Sequence, residues 1–251
     1  MTDNSKITCV FVHGWAMNSA VWENCLAFLP EWIDVIRVDL PGYGGSVGVK
    51  ATGIDDYAES LVCVVERPVI WVGWSLGGLA VLRLARLYPE LVSGLFLVAS
   101  NPCFVRKQNW LTAVELKVFE QFAQALKQDV DSTVKRFLAL QAQGSSVAMK
   151  NVRELYQAYK ARNKPSAEVL DLGLDVLAET DLRDDLRLVE CPVTWLLGER
   201  DKLVPVTIAK ELKLLRPEID VVVEKEAAHA PFISHPQSFV DALVSLVEKS
   251  K

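Results

Sequence analysis

Apolar residues along the chain fall into two kinds of run that alternate. Short, nearly unbroken runs rich in β-branched residues, ITCVFVH (7–13), IDVIRVD (33–39), VIWVG (69–73) and LVSGLFLVAS (91–100), read as strands buried on both faces. Between them the period changes to that of a helix, in SAVWENCLAFL (19–29), in IDDYAESLVCVV (54–65) and in the run that follows Ser75. Strand and helix in strict alternation predict a parallel, doubly wound α/β sheet. From Asn101 to about Glu190 the strand signals stop. Helical periodicity takes over in WLTAVELKVFEQFAQALK (110–127), DSTVKRFLALQAQ (131–143), SSVAMKNVRELYQAYK (145–160) and SAEVLDLGLDVLA (166–178). Strand patterns resume with PVTWLLG (192–198) and IDVVVEK (219–225), each leading to a further helix. The expected organisation is a sheet core of residues 1–100 and 191–251, with a helical cap, 101–190, inserted into it.

Composition narrows the class. The 251 residues are 51% hydrophobic and 24% charged, with a net charge of −5, as for one soluble domain with an insertion. No apolar run reaches the ~18 residues of a membrane helix, and MTDNSKITCVFVHGW has no basic region followed by a long apolar segment, so a cytoplasmic location is expected. Cys9, Cys25, Cys63, Cys103 and Cys191 are odd in number and widely spaced with no CxxC pair. They suggest core thiols rather than a disulfide framework or a zinc site. PGYGGS (41–46) follows the second strand pattern and lacks the G-x-G-x-x-G spacing after the first, which argues against a dinucleotide site. No cofactor and no metal are expected.

The chemistry concentrates at GWSLG (73–77). Ser75 falls at the turn from the VIWVG strand to a helix, flanked two residues away on each side by glycines that let backbone approach backbone. This is the G-x-S-x-G nucleophile elbow, which lifts a serine Oγ clear of the sheet. A serine nucleophile needs a base, and only three histidines exist. His13 precedes Gly14 at the end of the first strand, where a backbone turn is expected, and His235 opens the last helix. His229, in EKEAAHAPF after the last strand, has the position of the general base in an α/β hydrolase. The order serine, acid, histidine then places the acid between them. After PVTWLL comes GERDKLVP, where Asp201 best suits orienting an imidazole; Glu199, closer to the strand, is its rival. Asp175, Asp184 and Asp185 read as a solvated helix face. Two backbone donors are expected for the tetrahedral intermediate, the N–H of Leu76 and that of Trp15 in HGWAMN. The Trp15 indole either walls an acyl pocket or packs beneath the cap.

The segments HGWAMNSAVW, VDLPGYGGS, WVGWSLGGLA, VASNPCF, KRFLALQ, LGLDVL, TDLR and AAHAPFISHP together resemble the pimeloyl-[acyl-carrier protein] methyl ester esterase family of biotin synthesis over nearly the whole chain. The resemblance implies an α/β-hydrolase fold whose enzyme cleaves a methyl ester, carried on acyl carrier protein, to a carboxylate and methanol. It implies Ser75, Asp201 and His229 as catalytic, and Trp15 and Leu76 around the oxyanion. Trp15, Ser75, Leu76 and His229, with Phe137, Leu138, Ala139, Leu140 and Gln141 from the cap, are implied to bind the substrate. Of the cap arginines by which the family holds its carrier, Arg136 and Arg153 have counterparts. Ser132 and Met149 stand at the other places, with Lys135 and Lys150 close enough to substitute. The N-terminus is shorter than is usual for the fold, so an edge strand is expected to be missing. From Asp131 to Lys164 seven basic residues face two acidic ones, which suits an acidic carrier protein. The acidic remainder argues against nucleic acid. The expected activity is a serine carboxylesterase acting as a monomer. The alternatives are a broad-specificity short-chain carboxylesterase and a hydrolase-fold protein that binds without turnover.

Overall fold

The computed structural model describes residues 6–251. Six strands, β1 (Ile7–Val12), β2 (Ile33–Val38), β3 (Val69–Trp74), β4 (Val92–Val98), β5 (Val193–Gly198) and β6 (Asp220–Glu224), form one sheet in the order β2-β1-β3-β4-β5-β6. Every neighbouring pair is parallel. Among the described residues β2 forms one edge, with no strand beyond it. β3 lies inside the sheet and is buried at all six residues, as its unbroken apolar run requires when helices cover both faces.

The helices are α1 (Glu23–Leu26), α2 (Ile54–Val62), α3 (Leu76–Leu87), α4 (Leu116–Leu126), α5 (Val130–Ala142), α6 (Ala148–Lys160), α7 (Ala167–Glu179), α8 (Arg183–Leu188), α9 (Ile208–Leu215), α10 (Pro231–Ser234) and α11 (Pro236–Lys249). α4 to α7 lie between β4 and β5, in the stretch expected to be the cap.

Three stretches depart from their apolar period. SAVWENCLAFL is a 3-10 turn, Ser19–Trp22, followed by the single turn α1. Asn18 accepts the Ala20 N–H there and Asp39 accepts the Ser19 N–H, which tightens the turn. Trp22 is pinned edge-on to Phe11 at 5.2 Å and against Phe232 at 4.3 Å. The first cap helix begins at Leu116, not Trp110. Residues 101–115 form a strap, in which the Trp110 indole donates to Asn101 Oδ1 and to the Cys103 carbonyl, and the Val114 N–H to the Phe104 carbonyl. α8, inside the expected cap span, packs on α3 of the core. There Arg83 reaches Asp185 at 2.8 Å as well as Asp55 at 2.7 Å, so Asp185 is a buried-side anchor and not part of a solvated face. Asp184 is fully solvated beside Arg187, and Asp175 is exposed. Of the five cysteines, all free, Cys63 is exposed; burial pushes the Cys9 and Cys25 thiols up to about 12.

Five tryptophans, Trp15, Trp22, Trp71, Trp74 and Trp195, are fully buried. Each buries enough apolar surface to contribute at least ~2 kcal/mol, but an indole N–H left without an acceptor would offset much of that gain. Four find backbone carbonyls: Trp71 that of Leu91, Trp15 that of Leu170, Trp74 that of His229 and Trp195 that of Ser100. Through Trp74 and Trp195, core packing is thereby tied by direction to the loops at the carboxyl ends of the strands.

Candidate active site

Those carboxyl ends carry the reactive groups. β3 turns into α3 at Ser75, whose backbone sits at φ +53°, ψ −116°, a conformation a residue with Cβ holds only when its surroundings enforce it. The Ser75 N–H donates to the Val98 carbonyl at 2.9 Å, and the Ser75 carbonyl accepts from the Gly78 N–H and from Ser100 Oγ, each at 2.9 Å. Glycine is required on both sides by close approach. A Cβ on Gly77 would stand 2.5 Å from the carbonyl oxygens of Val12 and His13, and one on Gly73 2.6 Å from that of Gly77.

Ser75 Oγ lies 3.0 Å from His229 Nε2, and His229 Nδ1 lies 2.7 Å from Asp201 Oδ2; all three side chains are buried. A carboxylate can only accept, so Nδ1–H donates to Asp201 and Nε2 is left to accept the serine proton. Asp201 is fixed in turn, its Oδ1 accepting the N–H groups of Leu203 and Val204 at 2.8 and 3.0 Å. Glu199 is exposed and bonds elsewhere, to the Glu226 N–H at 3.2 Å. The other histidines lie outside this chain. His13 is buried, donates from Nδ1 to the Gly14 carbonyl at 2.8 Å and accepts the Leu40 N–H at Nε2 at 3.1 Å, and burial lowers its pKa. His235 is half-buried beside Ser234.

Among the described residues, neither the Trp15 nor the Leu76 N–H donates to a protein acceptor. Both belong to segments packed on the elbow, since a Cβ on Gly14 would lie 3.2 Å from Ser75 Cβ. The Trp15 ring is buried, packs edge-on to Phe137 at 4.6 Å and donates to the Leu170 carbonyl on α7. It therefore sits beneath the cap.

Ser75 opens into a narrow cavity of about 30 Å³, in which it is the only polar residue. Phe104 from the strap, Val118, Phe119 and Phe122 from α4, Phe137 from α5 and Leu174 and Leu177 from α7 are among its walls. Room for little more than a water molecule means that the cap must yield before an acyl chain can enter. The five consecutive residues 137–141 do not act as one wall. A helix spreads them around its circumference, so that Phe137 lines the cavity, Leu138 is buried elsewhere, Leu140 is half-buried and Ala139 is exposed. Gln141 meets the site through its backbone, its carbonyl accepting the His229 N–H at 3.0 Å. The aromatic walls on α4 are not legible in the sequence, because an apolar stripe at helical spacing reads the same whether it meets core or cavity. A larger, open hollow of about 640 Å³ lies at the amino ends of the strands, beside Lys6, Trp32 and Arg67, remote from Ser75.

On the cap's outer face, Lys164 pairs with Asp131 at 2.9 Å, Lys150 with Glu154 at 3.7 Å and Arg162 with Asp39 at 3.9 Å. Lys135, Arg136, Arg153 and Lys160 are exposed and have no acidic partner among the described residues. Arg136 lies over the Phe122 ring at 5.4 Å, above the wall of the cavity, while Lys135 and Lys160 flank Tyr156 on the other side of α5. Among the described residues no group of His, Cys, Asp and Glu side chains could hold a metal ion, and no helix is long and apolar enough to cross a membrane.

Residues 9–242 match the model of the alpha/beta hydrolase family. A Photobacterium profundum protein named pimeloyl-[acyl-carrier protein] methyl ester esterase is 40% identical over 98% of this chain and 97% of its own length. Proteins of the same name from Vibrio vulnificus and Klebsiella pneumoniae are 39% and 40% identical, over 96% and 94% of this chain and 94% and 92% of theirs. Among solved structures, an esterase from Exiguobacterium antarcticum superposes with a TM-score of 0.85 at 22% identity, covering 97% of this chain and 92% of its own, and shares the fold.

Proposed function

The chain belongs to the α/β hydrolase family and, within it, to the pimeloyl-[acyl-carrier protein] methyl ester esterases, and from that premise we propose that it is a serine carboxylesterase removing the methyl group of a pimeloyl methyl ester carried on acyl carrier protein, in biotin biosynthesis. The observation that carries this reading is the hydrogen-bonded chain Ser75–His229–Asp201 at the mouth of an uncharged cavity.

His229 Nε2 takes the Ser75 proton as Oγ attacks the ester carbonyl, and the oxyanion is held by the N–H groups of Trp15 and Leu76. Collapse breaks the bond to the methoxy oxygen, which leaves as methanol with the proton from His229. Water, deprotonated by the same nitrogen, then attacks the acyl-serine and releases the free acid. Asp201 holds the ring and stabilises its charged form. The cavity lacks a cation, so it accepts the neutral ester and gives no partner to the carboxylate formed, which favours release. The exposed Arg136 and Arg153 would meet the acidic carrier while the acyl arm passes Phe137 towards Ser75. A cytoplasmic setting accords with five unpaired cysteines.

The test is direct. The purified chain is given carrier-bound pimeloyl methyl ester, and methanol and the mass of the carrier are followed. Loss of one methylene from the carrier-bound acyl group, with its thioester intact, is the expected result. Equal kcat/KM on carrier-bound and free short esters would leave a broad esterase; no hydrolysis of any ester would leave a binding protein.

A further inference from the structure

Ala16 sits at φ +62°, in the left-handed region that a residue with Cβ occupies only under constraint, directly after Trp15. The Met17 N–H closes a turn across it on the Gly14 carbonyl at 3.2 Å, and Trp15 and Asn18, on either side of that turn, are bonded to the cap. Asn18, two residues on, is buried, and its two amide ends do different things. Oδ1 accepts the Ala20 N–H at 3.0 Å, within the loop. Nδ2 donates to the Ala158 carbonyl at 2.9 Å and approaches that of Tyr159 at 3.5 Å, in the last turn of α6, where the Ala158 carbonyl also accepts the capping Ala161 N–H at 3.1 Å. The Trp15 indole N–H donates across the same boundary, to Leu170 on α7. The ends of the loop are tied to the core instead, His13 Nε2 to the Leu40 N–H and the Ser19 N–H to Asp39 Oδ1. A strained loop carrying an unpaired N–H beside Ser75 is thus fastened to the core at its ends and to the cap in its middle.

We propose that Asn18 is a positioning residue for ester hydrolysis: by joining the oxyanion loop to the end of α6, it holds the Trp15 N–H in register with that of Leu76, so that the anion-binding pair is complete only while the cap is docked. This rests on the reading of Ser75 as nucleophile and of the Trp15 N–H as an oxyanion donor. The cap then contributes to the chemical step as well as to substrate choice, even for an ester too small to touch α5 or α7. An acyl chain that enters without displacing α6 finds the site assembled. α4 supplies much of the cavity wall and, among the described residues, makes no hydrogen bond to the core, which makes it the element free to yield.

The experiment uses the full chain with p-nitrophenyl acetate as substrate and a trifluoromethyl ketone, whose serine adduct places an oxyanion in the hole, as inhibitor. Both Asn18→Asp and Asn18→Ser keep an acceptor for the Ala20 N–H; the ionised aspartate has no donor for Ala158, and the serine hydroxyl, one bond shorter than the amide nitrogen, is drawn back from it. Removing an oxyanion donor outright costs 10²–10³ in turnover, so a displaced one should lower kcat roughly 10- to 100-fold, with KM little changed and the ketone's affinity falling in parallel. A protonated aspartic acid can donate again, so the ratio of Asn18→Asp to wild-type activity should rise as the pH falls. Wild-type kcat in either variant overturns the proposal. So does a loss of kcat with ketone affinity unchanged, and so does a variant that unfolds, because the contact is then one of folding alone. Ser75→Ala serves as the reference: activity surviving there would sink the underlying reading, whereas loss there beside an unimpaired Asn18→Ser sinks only this inference.

Discussion

The Ser100 hydroxyl donates to the carbonyl of Ser75 at 2.9 Å, while the Ser100 carbonyl accepts the Trp195 indole N–H, also at 2.9 Å. The strained nucleophile turn between β3 and α3 is therefore braced from the end of β4 and, through Trp195, from β5. Oγ takes no part in this bracing, and it makes its own contact only with His229. Ser75→Ala should leave the fold and melting temperature intact while removing on the order of 10⁶ in turnover. Residual activity well above that level, with an unchanged circular dichroism spectrum, would move the nucleophile elsewhere.

The two carboxylates of GERD are ranked by what they touch. Asp201→Asn puts an amide against His229 Nδ1 and disturbs the tautomer, so turnover should fall roughly 10⁴-fold. Glu199 bonds only a backbone N–H at the surface, and Glu199→Gln should change kcat little. Steady-state kinetics on a short ester decides between them, and the reverse order would make Glu199 the acid.

Ser75, Asp201 and His229 are legible as a set in the amino-acid sequence, because a chain order and three loop positions at strand ends leave few candidates. β3 is equally legible, since a run apolar at every residue suits only a strand covered on both faces. What escapes has a physical reason in each case. Trp110 to Glu115 keeps a helical apolar period, yet the Trp110 indole finds better acceptors in Asn101 and Cys103, and tertiary hydrogen bonds outweigh local preference. Asp185 reads as one more polar helix residue, and nothing local announces Arg83 from a different helix. Residues 137–141 are contiguous in sequence and divided in space.

His13 sets a pH dependence of stability. Burial lowers its pKa from the ordinary 6.5, outweighing the Gly14 carbonyl and Asp39, so the folded state holds it neutral while the unfolded chain protonates near 6.5. Its contribution is present in full above about pH 6.5 and is lost as the pH falls from there towards the folded pKa, at no more than ~1.4 kcal/mol per pH unit. His13→Gln offers an uncharged acceptor for the Leu40 N–H and should flatten this slope. Urea unfolding between pH 7.5 and 5.5 gives the comparison; parallel slopes in the two proteins would mean that His13 is not the group responsible.

Gly173 lies mid-helix in α7, where alanine would ordinarily gain up to ~1 kcal/mol. Here the sign should reverse. A Cβ would stand 2.6 Å from Trp15 Cδ1 and 2.6 Å from the Tyr43 hydroxyl oxygen, and both rings are fully buried with no room to retreat. Gly173→Ala should lower the melting temperature and, by pushing Trp15, lower kcat on a short ester more than it raises KM. A variant as stable and active as the wild type would show that Trp15 can shift without cost to the site.

On the proposed reading, the carrier is met through charge. Three cations between Asp131 and Lys164 are ion-paired within the protein, whereas among the described residues Arg136, Arg153, Lys135 and Lys160 are not, and Arg136 overlies the Phe122 wall of the cavity. A cation paired internally has little attraction left for a partner, and exposed charges act over about 10 Å at moderate salt. Steering should therefore depend on the unpaired set and weaken as salt rises. Arg136→Glu combined with Arg153→Glu should lower kcat/KM on a carrier-bound methyl ester by at least about tenfold at low salt, as expected of a reversed rim charge that slows association, and much less at about 0.5 M salt. Hydrolysis of p-nitrophenyl acetate should be unchanged, since neither side chain is among the walls of the Ser75 cavity. Lys150→Glu, which removes a cation already held by Glu154, should have a smaller effect than either arginine. Equal losses on both esters would point to damage in the cap, and no loss on either would leave this face to solvent.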